Sequence, residues 1–116
     1  MVITIEKVRV SLLENYWLQR EQFKREVHYL KILHSKNELS EEERVRLVSM
    51  ERAIGAMEKV YNDVDDSYKT IIDMRFNKDD IAEWIEIADE LNCSTQKVLR
   101  KRTHLMKITA AQIGIL

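Results

Sequence analysis

Ala88-Asp89-Glu90-Leu91-Asn92-Cys93-Ser94-Thr95-Gln96-Lys97-Val98 has the spelling of a helix-turn-helix. That motif needs a small residue where two helices cross, apolar residues around it and a tight turn. Ala88 is the small residue. Ile87, Leu91, Cys93 and Val98 fill the apolar positions. Asn92 falls where the backbone must turn left-handed, a conformation Asn tolerates better than any residue except Gly. Ser94 can accept a backbone N–H and so starts the helix that follows.

Charge divides at the same turn. Asn62 to Glu90 holds ten acids against three bases, whereas Leu91 to Leu116 holds five Lys or Arg and no acid. A formal net charge of −1 over 116 residues therefore conceals an anionic block and a cationic end. The whole-chain charge indicates no partner; its distribution does.

Upstream of the turn the sequence predicts helices throughout. There is no Pro, and the two Gly are Gly55 and Gly114. Val, Ile and Thr never alternate between turn residues as a strand requires. The class is all-α. A first helix is predicted from about Ile5 to His34, with Leu12, Tyr16, Phe23, Val27, Leu30 and Leu33 as its apolar stripe. Ser35-Lys36-Asn37 ends it. Ser40 with Glu43 forms a capping box, so a second helix starts near Glu41. Leu47, Met50, Ile54, Met57, Tyr61 and Val64 then step by three and four, a heptad seam. Two long helices joined by a short loop predict a hairpin over residues 1–63. Its seam can pack the hairpin's own helices or supply a homodimer interface, and the sequence leaves both open. Gly55 within it either allows a close helix crossing or is merely tolerated.

Residues 64–116 are predicted to form the helix-turn-helix domain. Asp65 caps a third helix, about Asp66 to Phe76. Asn77-Lys78-Asp79-Asp80 is a turn in which Asp79 or Asp80 caps a fourth, about Ile81 to Leu91. The fifth runs from about Thr95 to Gln112, with Gly114 beyond its end.

At 100° per residue Val98 and Leu105 point inward on the fifth helix. Gln96, Arg100, Thr103, His104 and Lys107 point outward, with Lys97 on the flank. Gln96 lies in the first turn, where recognition helices touch base edges, and Gln can pair with adenine as Arg can with guanine. Lys97, Lys101, Arg102 and Lys107 suit phosphates, which set affinity and position but not sequence choice. The candidate DNA-binding set is Thr95, Gln96, Lys97, Arg100, Lys101, Arg102, Thr103, His104 and Lys107. The competing reading is a solvated basic face.

Val64-Asp65-Asp66-Ser67-Tyr68-Lys69-Thr70-Ile71-Ile72-Asp73-Met74-Arg75-Phe76 and Trp84-Ile85-Glu86-Ile87-Ala88-Asp89-Glu90-Leu91-Asn92-Cys93-Ser94 resemble region 4 of sigma-70-type factors. More closely they resemble phage late transcriptional regulators of the RinA/ArpU type. The shared features are an Arg-aromatic pair at Arg75-Phe76, a Trp-x-x-Ile-Ala-x-x-Leu-Asn helix, a Ser-capped recognition helix and the Gln112-Ile113-Gly114 end. The similarity covers about Val64 to Leu116. It implies sequence-specific binding to double-stranded DNA that activates phage or prophage late genes through host RNA polymerase, with Gln96, Lys97 and Arg100 facing the groove. Two features depart from the pattern: Lys101 stands where an inward apolar residue is expected, and the fourth helix is unusually acidic.

Other functions find less in the sequence. His28, His34 and His104 lack zinc spacing and there is one Cys, so no metal or cofactor site is read. Cys93 reads as a small buried hydrophobe. No phosphate loop or nucleophile constellation appears, so no enzyme and no small-molecule substrate is expected. Met1-Val2-Ile3-Thr4-Ile5 meets Glu6 and Lys7 too early for a signal or membrane segment, and a cytoplasmic, nucleoid-associated protein is expected. Trp17 falls off the predicted stripe, where it is either partly exposed or part of an interface. Two rival functions stand beside regulation. One is a small-terminase-like protein that recognises DNA-packaging sites. The other is a helical protein–protein interaction module that binds no DNA.

Overall fold

Helix starts in this chain are set by local capping. Ser40 begins the longest helix: its hydroxyl accepts from Glu43 N–H at 3.1 Å, and the Glu43 carboxylate accepts from Ser40 N–H at 3.0 Å. Asp65 accepts from the N–H groups of Ser67 and Tyr68, and Ser94 from that of Lys97. Each bond satisfies a donor that a helix N-terminus would otherwise leave orphaned. The computed structural model describes residues 2–77 and 79–114, with side chains from residue 9 onward.

Six helices follow in order: α1 (Val2–Leu18), α2 (Arg20–Ser35), α3 (Glu41–Asp63), α4 (Asp66–Arg75), α5 (Trp84–Glu90) and α6 (Thr95–Ile113). No strand occurs among the described residues, so the protein is all-α. The starts of α3, α4 and α6 coincide with the caps read from the sequence.

The first predicted helix is two helices. The chain bends at Gln19 (φ −94°, ψ 7°) while helical hydrogen bonding carries on, from Gln19 N–H to Asn15 O and from Phe23 N–H to Gln19 O. From residue 9 onward, Leu13 and Trp17 are the buried residues of α1, whereas Val27 and Leu30 are those of α2. At 100° per residue the inward face has rotated by about 80° between Trp17 and Val27. Leu12, expected on the stripe, is exposed. The reason is a change of partner: α1 packs on α6, and α2 packs along α3. Trp17, neither partly exposed nor available to an interface, is fully buried. Covering an aromatic of this size removes roughly 200 Å² from water, worth on the order of 5 kcal/mol.

The main core joins Leu13 and Trp17 to Ala53, Met57 and Val60 of α3, Ile71 and Ile72 of α4, Ile87 and Ala88 of α5, and Val98, Leu105, Met106, Ala110 and Ile113 of α6. It thus runs across the expected boundary at residues 63 and 64. A smaller cluster of Val27, Leu30, Leu47 and Met50 fastens the distal ends of α2 and α3. Those ends lengthen the molecule, whose extents are 52 × 33 × 23 Å. Gly55 is exposed, and a Cβ placed there would meet nothing within 4 Å, so it marks no close crossing.

α5 is shorter than predicted, and Glu83 rather than Asp79 or Asp80 stands at its N-cap. Ala82 N–H donates to Met74 O at 2.9 Å, and the Arg75 guanidinium donates to Ala82 O at 3.0 Å. These two bonds hold the residues around Ala82 against the end of α4 and postpone the helix to Trp84. In the turn before it, Asp79 N–H donates to Asn77 Oδ1 and Asp80 N–H to Asn77 O. Lys78 of that predicted turn lies outside the described residues.

Candidate nucleic-acid interface

The connection between α5 and α6 has the conformation its residues favour. Asn92 takes φ +53°, in the left-handed region. Leu91 N–H donates to Ile87 O, Asn92 N–H to Asp89 O and Cys93 N–H to Ala88 O. Three of the four N–H groups of residues 91–94 are thereby paired as the chain reverses. Ala88, 3% exposed, is buried with Ile87 and with Val98 of α6 in one core cluster where α5 packs on α6. Cys93 is half-buried, as a packing role requires.

Beyond the turn, the nine candidate residues separate into two sets. Gln96, Lys97, Arg100 and Lys107 are exposed. Their side chains make no hydrogen bond or ion pair among the described residues. His104 is exposed too, with its Nδ1 2.7 Å from the Tyr68 hydroxyl and its ring edge-on to that of Tyr68. Together these five side chains form one face along three turns of α6, free of acids.

Thr95, Lys101, Arg102 and Thr103 are half-buried. Thr103 donates its hydroxyl to Leu99 O within α6. Lys101 Nζ donates to Ser67 Oγ at 3.2 Å and lies 5.0 Å from the centre of the Tyr68 ring. This accounts for a Lys at a position where an apolar residue was expected. Its stem packs on α4 and its ammonium reaches the rim, as long cationic side chains commonly do. Arg102 turns toward α1 and α5. Its NH1 lies 3.6 Å from Glu14 Oε1, its guanidinium carbon is 5.6 Å from the centre of the Trp84 ring, and its buried Nε has no hydrogen-bond partner.

Arg75 lies over the same Trp84 ring, at 4.5 Å. Two guanidiniums and one indole thus bring together the end of α4, the start of α5 and the middle of α6, with Glu14 of α1 as the nearby acid. Burial pushes the Glu14 carboxyl above its usual range, and the attraction of Arg102 and Arg75 only partly offsets this. The 3.6 Å ion-pair distance is consistent with that weak compensation. Sequence reading marked Arg75 and Trp84 as motif residues but not as a stacked pair. Glu14 carried no signal at all, because its partner lies on the far side of the chain.

The acids sit beside this face rather than on it. Glu86, Asp89 and Glu90 are exposed on α5, and Asp65 and Asp66 are exposed at the start of α4. Asp65 is held below its ordinary range, first by the Ser67 hydroxyl and also by the backbone of Tyr68 and by Lys101. It therefore stays ionised as a helix cap. Among the described residues, no three or more His, Cys, Asp or Glu come together in a way that could hold a metal ion. No helix among them is long and apolar enough to cross a membrane.

A family model described as "Protein of unknown function (DUF722)" matches residues 20–111, from the first residue of α2 to the last turns of α6, and the chain belongs to that family. No curated protein and no solved structure matches the chain.

Proposed function

We propose that this protein is a sequence-specific DNA-binding transcriptional regulator of phage or prophage late genes, with α5 and α6 as its helix-turn-helix. The observation that carries the reading is the face of Gln96, Lys97, Arg100, His104 and Lys107, exposed and acid-free, on a helix braced behind a left-handed turn at Asn92. An α-helix with its side chains is about 10–12 Å across, close to the roughly 12 Å width of the major groove. In this reading Gln96 and Arg100 meet base edges, while Lys97 and Lys107 meet phosphates. Lys101 and Arg102, held by Ser67 and Glu14, brace α6 from behind.

The supporting argument is one of desolvation. A cation on this face that already had an acidic partner would lose that partner on meeting a phosphate. Lys97, Arg100 and Lys107 have none to lose, so contact with the duplex releases counterions at little internal cost. The predicted seam residues Leu47, Met50 and Met57 are buried within the chain, so two copies pairing on a two-fold site would use the outer faces of α2 and α3, and the exposed acids of α5 are available to host RNA polymerase. Selection of bound fragments from the source genome tests the proposal. A regulator recovers a short shared sequence upstream of late genes. A packaging protein recovers sites at a terminase gene or genome end, and an interaction module recovers none.

A further inference from the structure

We infer that the DNA-binding surface extends beyond α6 onto α1, and that Arg9 is a phosphate contact. The inference rests on the reading of α6 as the groove-facing helix. α1 packs alongside α6, and Arg9, Val10 and Leu13 line one cleft with Thr103 and Lys107. A helix in the major groove fills its width, so a second helix packed at 8–10 Å from the first cannot enter the same groove. It lies over the groove wall, which is the phosphate backbone.

The charges of α1 suit that place. From residue 9 onward α1 has two charged side chains, Arg9 and Glu14. Arg9 is exposed on the side where α1 meets Lys107. Glu14 is turned inward onto Arg102, with its side chain 19% exposed. From residue 9 onward α1 therefore presents its cation and withdraws its acid. The opposite flank of α6 differs: there α4 places exposed Asp65 and Asp66 near Lys101 and Ser67. A duplex seated on α6 is drawn toward the α1 side and repelled from the α4 side. Arg9 lies outside the family match, which begins at residue 20.

Binding of the full chain to a fluorescent random-sequence duplex, measured by anisotropy from 50 to 200 mM salt, tests the inference. Arg9→Ala should weaken binding several-fold and reduce the slope of log K against log salt by about 0.9, the value for one phosphate contact. Arg44→Ala, which removes an equal charge from an exposed position at the α2-facing end of α3, should leave both unchanged. Circular dichroism establishes that each variant is folded. If Arg9→Ala matches Arg44→Ala while Arg100→Ala weakens binding, the extension onto α1 is wrong and α6 acts alone. If the unaltered chain shows no salt-dependent binding, the DNA-binding reading fails and the inference falls with it.

Discussion

Trp17 Nε1–H donates a buried hydrogen bond of 3.1 Å to Thr109 Oγ1, ninety-two residues away along the chain. The Thr109 hydroxyl in turn donates to Leu105 O at 2.8 Å, so both side chains are satisfied where no water reaches. This pair fixes α1 to the C-terminal half of α6, and with it the position of the basic face relative to the rest of the molecule. Thr109→Val leaves the indole N–H buried without a partner, at a cost of about 1–3 kcal/mol. Trp17→Phe should cost on the order of 2–4 kcal/mol, from lost area and a residual cavity. Because each change removes the same bond, the double variant should lose less than the sum of the two. Urea unfolding followed by circular dichroism measures all three, and strict additivity would show that the bond contributes nothing.

The α4 cap gives stability a pH dependence of known sign. The Ser67 hydroxyl, with help from the Tyr68 backbone and Lys101, depresses the carboxyl of Asp65 below its ordinary value. A depressed carboxyl contributes stability that is fully present above the unfolded value, near 3.9, and is lost as pH falls through the lower folded value. Asp65→Ala should therefore cost about 1 kcal/mol at pH 7. The gap from the unaltered chain should narrow below about pH 4. Unfolding curves at pH 7, 4 and 3 report it; a gap that widens on acidification would reverse the sign.

The left-handed turn at Asn92 should discriminate between small residues. Asn92→Ala keeps the Cβ but loses the short amide side chain that makes the left-handed backbone tolerable to Asn, and should destabilise the protein by about 1 kcal/mol. Asn92→Gly should be nearly neutral, because Gly takes φ +53° without steric cost. A thermal melt of the two variants decides it: equal losses would mean that the turn tolerates either conformation.

Gly55 offers the opposite case. It lies within α3, exposed, with open space where a Cβ would go. Gly55→Ala should raise stability by up to about 1 kcal/mol through helix propensity alone. Destabilisation on urea unfolding would reveal a contact at this position that the isolated chain lacks, such as a second copy packed on α3.

What could be read from the sequence was what local chemistry controls. Ser40 with Glu43, Asp65, Ser94, Asn92 and Gly114 all act within a few residues, and the structure gives each the cap or turn its type favours. Helical periodicity placed Gln96, Arg100, His104 and Lys107 outward correctly but also Thr103, which is half-buried with its hydroxyl bonded to Leu99 O, while Lys97, read as flanking, is exposed. What escaped depended on partners far along the chain. The bend at Gln19 has no Gly or Pro to announce it; it arises because Trp17 meets Thr109 whereas Val27 meets the α3 cluster. The late start of α5 depends on Met74 and Arg75 holding Ala82. Lys101 and Arg102 read as free cations until Ser67 and Glu14 were seen beside them. Periodicity assigns a face to a residue but does not identify what that face meets.

The most direct test is a titration of random-sequence duplex with the full chain at about 50 mM and 200 mM salt, alongside Lys97→Ala and Arg100→Ala. Three neutralised phosphates give a slope near −2.7, so affinity should fall by roughly 40-fold across that range, and each substitution should weaken binding. On a selected site rather than random duplex, Arg100→Ala should cost about 1–3 kcal/mol if its guanidinium pairs with a guanine. Absence of binding at 50 mM salt, or binding indifferent to both substitutions, would contradict the claim that the outer face of α6 is a DNA-reading surface.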